Sequence, residues 1–129
     1  MKIQSIEHAG IFALDPKKMA EWYCSILGFQ IVFHKNDTYF IKAQDQTMLE
    51  ICLASAPAQP QEIKTQGIRH LALVTDDFQG AVHWLMLNQV KVLQEPTCST
   101  SGNQTFFFED LEGNVLHLIH RKEPLAYLQ

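Results

Sequence analysis

The chain lacks the clustered cations that nucleic-acid binding needs. Its 129 residues carry 10 Lys and Arg against 14 Asp and Glu, a net charge of −4, and no basic cluster larger than a pair. A phosphate backbone is gripped by grouped positive charge, so nucleic acid is excluded as a partner. Long apolar runs are missing too. A helix needs roughly 20 apolar residues to cross a bilayer, and Met1-Lys-Ile-Gln4 has none of a signal peptide's apolar stretch. A membrane partner is excluded, and a cytoplasmic protein is expected. Cysteine is scarce: Cys24, Cys52 and Cys98 are odd in number and without C-x-x-C spacing. They read as reduced thiols, with Cys52 as small core filler. What the chain does have is apolar content, 47%, enough for the core of one globular domain.

The chain also repeats itself. Thr38-Tyr-Phe-Ile-Lys-Ala-Gln-Asp-Gln-Thr-Met-Leu-Glu50 aligns without a gap on Thr105-Phe-Phe-Phe-Glu-Asp-Leu-Glu-Gly-Asn-Val-Leu-His117, 67 positions later. Each copy is an aromatic strand, a polar turn and an apolar strand, and Glu50 falls where His117 falls. Ile6-Glu-His8 likewise matches Ile68-Arg-His70 at a distance of 62. Each of these histidines opens a strand that leads into a helical run and a second strand. The unit is therefore β-α-β-β-β written twice, over about 3–54 and 67–122. The fold class this predicts is α+β: two βαβββ modules forming a cupped mixed sheet with the helices outside.

In chain order, the alternation from Ile3 to Leu14 predicts the first strand. Asp15-Pro16 predicts a helix start, and Gly28 its end. Met19, Trp22, Tyr23 and Ile26 give that helix its buried stripe. Strands follow at Phe29 to Phe33, Tyr39 to Ala43 and Met48 to Leu53. Ala54 to Gln66, with Pro57 and Pro60, is a surface linker. The second copy repeats the plan: a strand from Ile68, then a helix capped by Asp76 or Asp77 with Phe78, Val82, Leu85 and Met86 inward. Strands at Val90 to Gln94, Thr105 to Glu109 and Asn114 to Arg121 follow, with Pro96 to Asn103 as a loop. The apolar tail Leu125, Tyr127 and Leu128 needs cover, which predicts a homodimer.

Four positions capable of binding a cation stand out: His8, Glu50, His70 and His117. Each lies within a strand, on the face opposite the Leu and Ile side chains that pack under a helix. A buried carboxylate among three imidazoles is costly unless something neutralises it. A divalent transition metal does so, and three nitrogens with one oxygen suit Zn, Ni, Co or Fe rather than Mg or Ca. His34, His83 and His120 read as surface or packing residues. Four protein ligands leave room for a small-molecule substrate that binds through two oxygens.

These features resemble the vicinal oxygen chelate superfamily of glyoxalase I, methylmalonyl-CoA epimerase, bleomycin-resistance proteins and extradiol dioxygenases. The resemblance runs from Ile6 to His120. It rests on Ile6-Glu-His8, Trp22-Tyr23 with Leu27-Gly28-Phe29, Leu49-Glu50-Ile51, Arg69-His70-Leu71, and Phe107-Phe108-Glu109-Asp110 with Gly113-Asn114. It implies a metal held at the first and last strands of each module, by His8, Glu50, His70 and His117. It also implies a metal-dependent enzyme of lyase or isomerase type, similar to lactoylglutathione lyase, with Glu50 as the proton-transfer group. An Fe(II) ring-cleaving dioxygenase and a non-catalytic binder of the bleomycin-resistance type are the alternatives. An aromatic lining from Phe12, Tyr39 and Phe107 would favour these two. Relatives of the glyoxalase I type carry a glutamate where this chain has His117. With Glu50 as the sole anionic ligand, a divalent site keeps a net charge of about +1 and favours anionic ligands.

Overall fold

The computed structural model describes residues 1–125. The chain forms two compact units, Met1–Pro60 and Gln61–Gln129, whose boundary falls within the linker. The expected tail residues Tyr127 and Leu128 lie outside the described residues.

Unit 1 contains β1 (His8–Ala13), α1 (Pro16–Leu27), β2 (Gln30–Lys35), β3 (Thr38–Lys42) and β4 (Met48–Leu53). Unit 2 contains β5 (His70–Val74), α2 (Phe78–Leu87), β6 (Val92–Cys98), β7 (Gln104–Glu109) and β8 (Val115–His120). Each unit holds a four-stranded mixed sheet, ordered β1-β4-β3-β2 and β5-β8-β7-β6. In both, the first strand runs parallel to the last and the other pairings are antiparallel. The result is an α+β fold of two βαβββ modules.

Local chemistry sets the helix ends. Asp15 accepts from the Lys18 N–H at 3.1 Å, with Pro16 in the first turn. Gly28 closes α1 at φ +73°, a left-handed conformation that costs a glycine little. Asp77, rather than Asp76, caps α2 by accepting from the Gly80 N–H at 2.9 Å.

The helices cover one face of each sheet. Under α1 lie Ile11, Ala13, Tyr39, Ile41, Leu49 and Ile51, all buried. In unit 2 the equivalent residues Phe106, Phe108, Leu116 and Leu118 are buried. A period of two then sends the intervening residues to the opposite face.

Several sequence expectations need correcting. Residues 1–7 form no strand, so β1 starts at His8. Met86 does not join the buried stripe of α2, being 40% exposed, because Phe78, Val82 and Leu85 already span the face that packs. The first part of the expected loop, Pro96 to Cys98, is not loop but the end of β6. That strand is a sheet edge with register breaks, where a proline's missing N–H goes unneeded. Cys52 is not core filler. It sits half-buried on the open face, opposite Phe12. Tyr39 points into the core and stacks on His34, with ring centroids 4.0 Å apart, so it cannot line a site on the other face. No helix among the described residues is long and apolar enough to cross a membrane.

Candidate metal centre

All four candidate ligands lie on the sheet faces left uncovered by helices. In unit 1, His8 and Glu50 come from the parallel neighbours β1 and β4, where Gly10 rather than His8 stands opposite Glu50. They meet on the diagonal, with His8 Nε2 3.6 Å from Glu50 Oε1. The other ring nitrogen, Nδ1, lies 2.9 Å from Glu7 Oε1. A carboxylate on Nδ1 fixes the ring and leaves Nε2 directed at Glu50 and the open face, as in the carboxylate–histidine pairs that orient metal ligands. Both side chains are about a third exposed, 34% and 30%.

In unit 2 the same diagonal joins His70 and His117, because Ala72 stands opposite His117. The two rings lie 5.3 Å apart and perpendicular. Phe107, beside His117 in the ladder, packs against it at 4.1 Å. His70 is exposed, whereas His117 is buried at 9% exposure. Neither ring nitrogen of His117 meets a hydrogen-bond partner among the described residues. Burial foremost, then the nearby His70 and Arg121, lowers its pKa below the ordinary 6.5. Each effect disfavours the charged form, so the ring is kept neutral, as a metal ligand must be.

The structure thus places the four residues as two pairs, one in each unit. Among the described residues, no group of three or more His, Cys, Asp or Glu side chains converges within cation-binding reach. Cys52, on the same face as Glu50, has its thiol pKa raised by burial first and by Glu50 next, which disfavours the thiolate that binds metals. His34, His83 and His120 are exposed. A cleft of about 240 Å³ opens away from the candidate ligands, at the start of α2 between Asp76, Asp77, Gln104 and His120. Its Asp77 is already engaged as the helix cap.

Sequence reasoning overlooked Phe40. It lies 67 positions before Phe107 and stands beside Glu50 as Phe107 stands beside His117. Its ring meets His8 edge-on at 5.5 Å. The repeat that equated Glu50 with His117 contained this signal.

The family model for the Glyoxalase/Bleomycin resistance protein/Dioxygenase superfamily matches residues 5–118. The chain belongs to that superfamily. An uncharacterised Escherichia coli K12 protein, YaeR, is 27% identical over 123 residues, covering 90% of this chain and 95% of its own. A glyoxalase family protein from Enterococcus faecalis has the same fold, with a TM-score of 0.76 at 23% identity over 93% of this chain and all of its own. Lactoylglutathione lyase from Agrobacterium tumefaciens superposes with a TM-score of 0.71 at 15% identity, covering 92% of this chain and 95% of its own. The superfamily's members include enzymes and binding proteins, so the activity of this chain has to be argued from its own residues.

Proposed function

We propose that His8, Glu50, His70 and His117 hold one divalent transition metal, of the Zn, Ni, Co or Fe type, and that this superfamily member is a glyoxalase-like lyase or isomerase. The observation that carries this reading is His117. A buried imidazole with both nitrogens unpartnered costs on the order of 1–3 kcal/mol unless a ligand takes up the lone pair. Its neutral form suits that ligand. His8, oriented by Glu7, offers a second nitrogen.

A divalent cation held there would supply Lewis acidity toward a substrate carbonyl oxygen. The substrate is a small molecule bound through two neighbouring oxygens. Glu50 moves the proton: its carboxylate takes one from the substrate carbon and returns it to the adjacent position, so the reaction is a net isomerisation. Lys42 shares the open face in the ladder row of Met48 and His8, which adds positive charge for an anionic substrate.

Elemental analysis of protein purified without chelator tests this reading. The wild type is expected to carry about one equivalent of metal per site. His8→Ala and His70→Ala should each lose more than about 100-fold in affinity, beyond the usual cost of losing an outer-shell contact. Full metal content in both variants would overturn the assignment.

A homodimer accompanies this reading. Edge strand β2 exposes Ile31, Val32 and Phe33 at 41%, 45% and 51%, an apolar edge suited to cover by another chain. Sedimentation at tens of micromolar, roughly ordinary assay concentrations, should give twice the 14.8 kDa chain mass. A single 14.8 kDa species would exclude it.

A further inference from the structure

The helices α1 and α2 hold equivalent places in the repeat, 62 positions apart, so Trp22 corresponds to Trp84 and Ser25 to Leu87. Their outer sides differ in chemistry. On α1 the exposed residues are Lys17, Lys18, Glu21 and Ser25, and Trp22 is half-buried, edge-on to Tyr23 at 5.2 Å. On α2 the same four positions are Gln79, Gly80, His83 and Leu87, and the whole helix carries no Asp, Glu, Lys or Arg. Trp84, Met86 and Leu87 are 45%, 40% and 67% exposed. Asn88 leaves this surface apolar, because its amide turns back to donate to the Trp84 carbonyl at 2.8 Å. Leu111, 49% exposed, stands in the β7–β8 turn at the same end of the unit, where the Glu109 N–H donates to the Lys91 carbonyl just beyond α2. These four side chains leave on the order of 400 Å² of apolar surface in water, the size at which a patch marks a contact site. The fold does not demand it, since α1 packs on its own sheet with a charged outer side. A helix that is apolar on every side is one that is covered on every side.

We propose that a second copy of this chain docks on the outer side of α2, helix against helix about a twofold axis, with Trp84 of each copy packed on Leu87 of the other. Trp84 and Leu87 are three residues apart and share one side of the helix. Antiparallel pairing about their midpoint brings each onto the other, as a self-complementary contact requires. No ion loses its water when two such helices meet, because neither carries one. A charged partner would find nothing to pair with there, whereas a second copy brings an identical neutral, apolar patch. About 800 Å² buried from the two sides together falls short of the roughly 1,200 Å² of a stable interface, so the contact is weak and closes at about hundreds of micromolar. It is separate from the edge of β2 and independent of the metal reading.

The two tryptophans make the test direct. Their indole N–H signals are followed by NMR in the full chain from about 20 μM to about 1 mM, a range that brackets the expected affinity, and Trp22→Phe assigns them. The Trp84 signal should move with concentration, and the Trp22 signal should stay. Leu87→Lys should hold the Trp84 signal at its dilute position throughout, a loss of more than about tenfold in association. Leu87→Gln carries the same expectation should the lysine impair folding. Ile31→Lys, on the β2 edge, should leave the movement intact. A Trp84 signal that never moves would overturn the proposal, whether the face is bare or covered within its own chain. Movement that persists in Leu87→Lys would place the contact elsewhere. Movement lost in Ile31→Lys and kept in Leu87→Lys would assign it to β2 and overturn the role of α2.

Discussion

Unit 1 and unit 2 share a backbone plan down to the parity of single residues, yet they treat the polar residue at its centre in opposite ways. Glu50 is 30% exposed in its side chain and has His8 within 3.6 Å. His117, its equivalent, is 9% exposed and has no hydrogen-bond partner among the described residues for either nitrogen. A carboxylate could not be sealed in that way, because burying an unpaired charge costs far more than burying a neutral ring. The comparison teaches that the repeat keeps a polar residue at the same place in the strand, while the residue type decides how deeply it sits. Depth then decides which unit keeps open surface beside that residue.

The cores under the helices allow the comparison to be broken most forcefully. Phe106 is fully buried, and its equivalent Tyr39 lies at the rim, 8% exposed and stacked on His34. Phe106→Ala should cost about 3–5 kcal/mol in urea unfolding, and Tyr39→Ala distinctly less. Equal losses would mean that the two cores are packed alike, and that the asymmetry is confined to the open faces.

A smaller effect is expected from His117 itself. In metal-free protein, His117→Phe removes two unpartnered polar atoms and should raise stability by about 1 kcal/mol. Glu50→Gln on the exposed side should change it by less than about 0.5 kcal/mol. His117 also gives the metal-free protein a pH dependence of known sign. Its pKa is lowered on folding, so the unfolded chain takes up the proton first. Stability is therefore fully present above the ordinary value of 6.5 and is lost as pH falls through 6.5 toward the folded value. Thermal melts across that range should slope in wild type and flatten in His117→Phe. A slope that persists in the variant would assign the titration to another group.

The smallest effect separates the turns. The β3–β4 turn places Gln46 at φ +76°, and the β7–β8 turn places Gly113, its equivalent, at φ +94°. A side chain in that region is strained by roughly 1 kcal/mol or more, so Gln46→Gly should stabilise by up to about that amount, less the added chain entropy, while Gly113→Ala should destabilise. Urea midpoints moving the same way for both would refute the equivalence of the turns.

Much of this was legible beforehand. The strand Met48–Leu53 and the helix bounded by Asp15 and Gly28 stand where alternation and capping residues put them. What misled was context at the edges. Pro96 looked like a loop residue because prolines break interior strands, and only the sheet order shows that β6 is an edge. Tyr39 and Phe40 are adjacent aromatics, and sequence gave no reason to choose between them until the register sent Tyr39 inward.

The sequence by itself determined the doubled βαβββ plan, the parity that sends Glu50 and His117 away from the helices, and the helix caps. These follow from local chemistry and from a period of two, which need no knowledge of neighbours distant in the chain. Only the tertiary structure decided which residues stand side by side across strands. It is the parallel pairing of β1 with β4 that sets Gly10 beside Glu50, and that of β5 with β8 that sets Ala72 beside His117. Ladder register is fixed by the packing of whole faces. The glycine beside Glu50 and the partnerless burial of His117 are consequences of that packing, and no reading of the residues one at a time contains them.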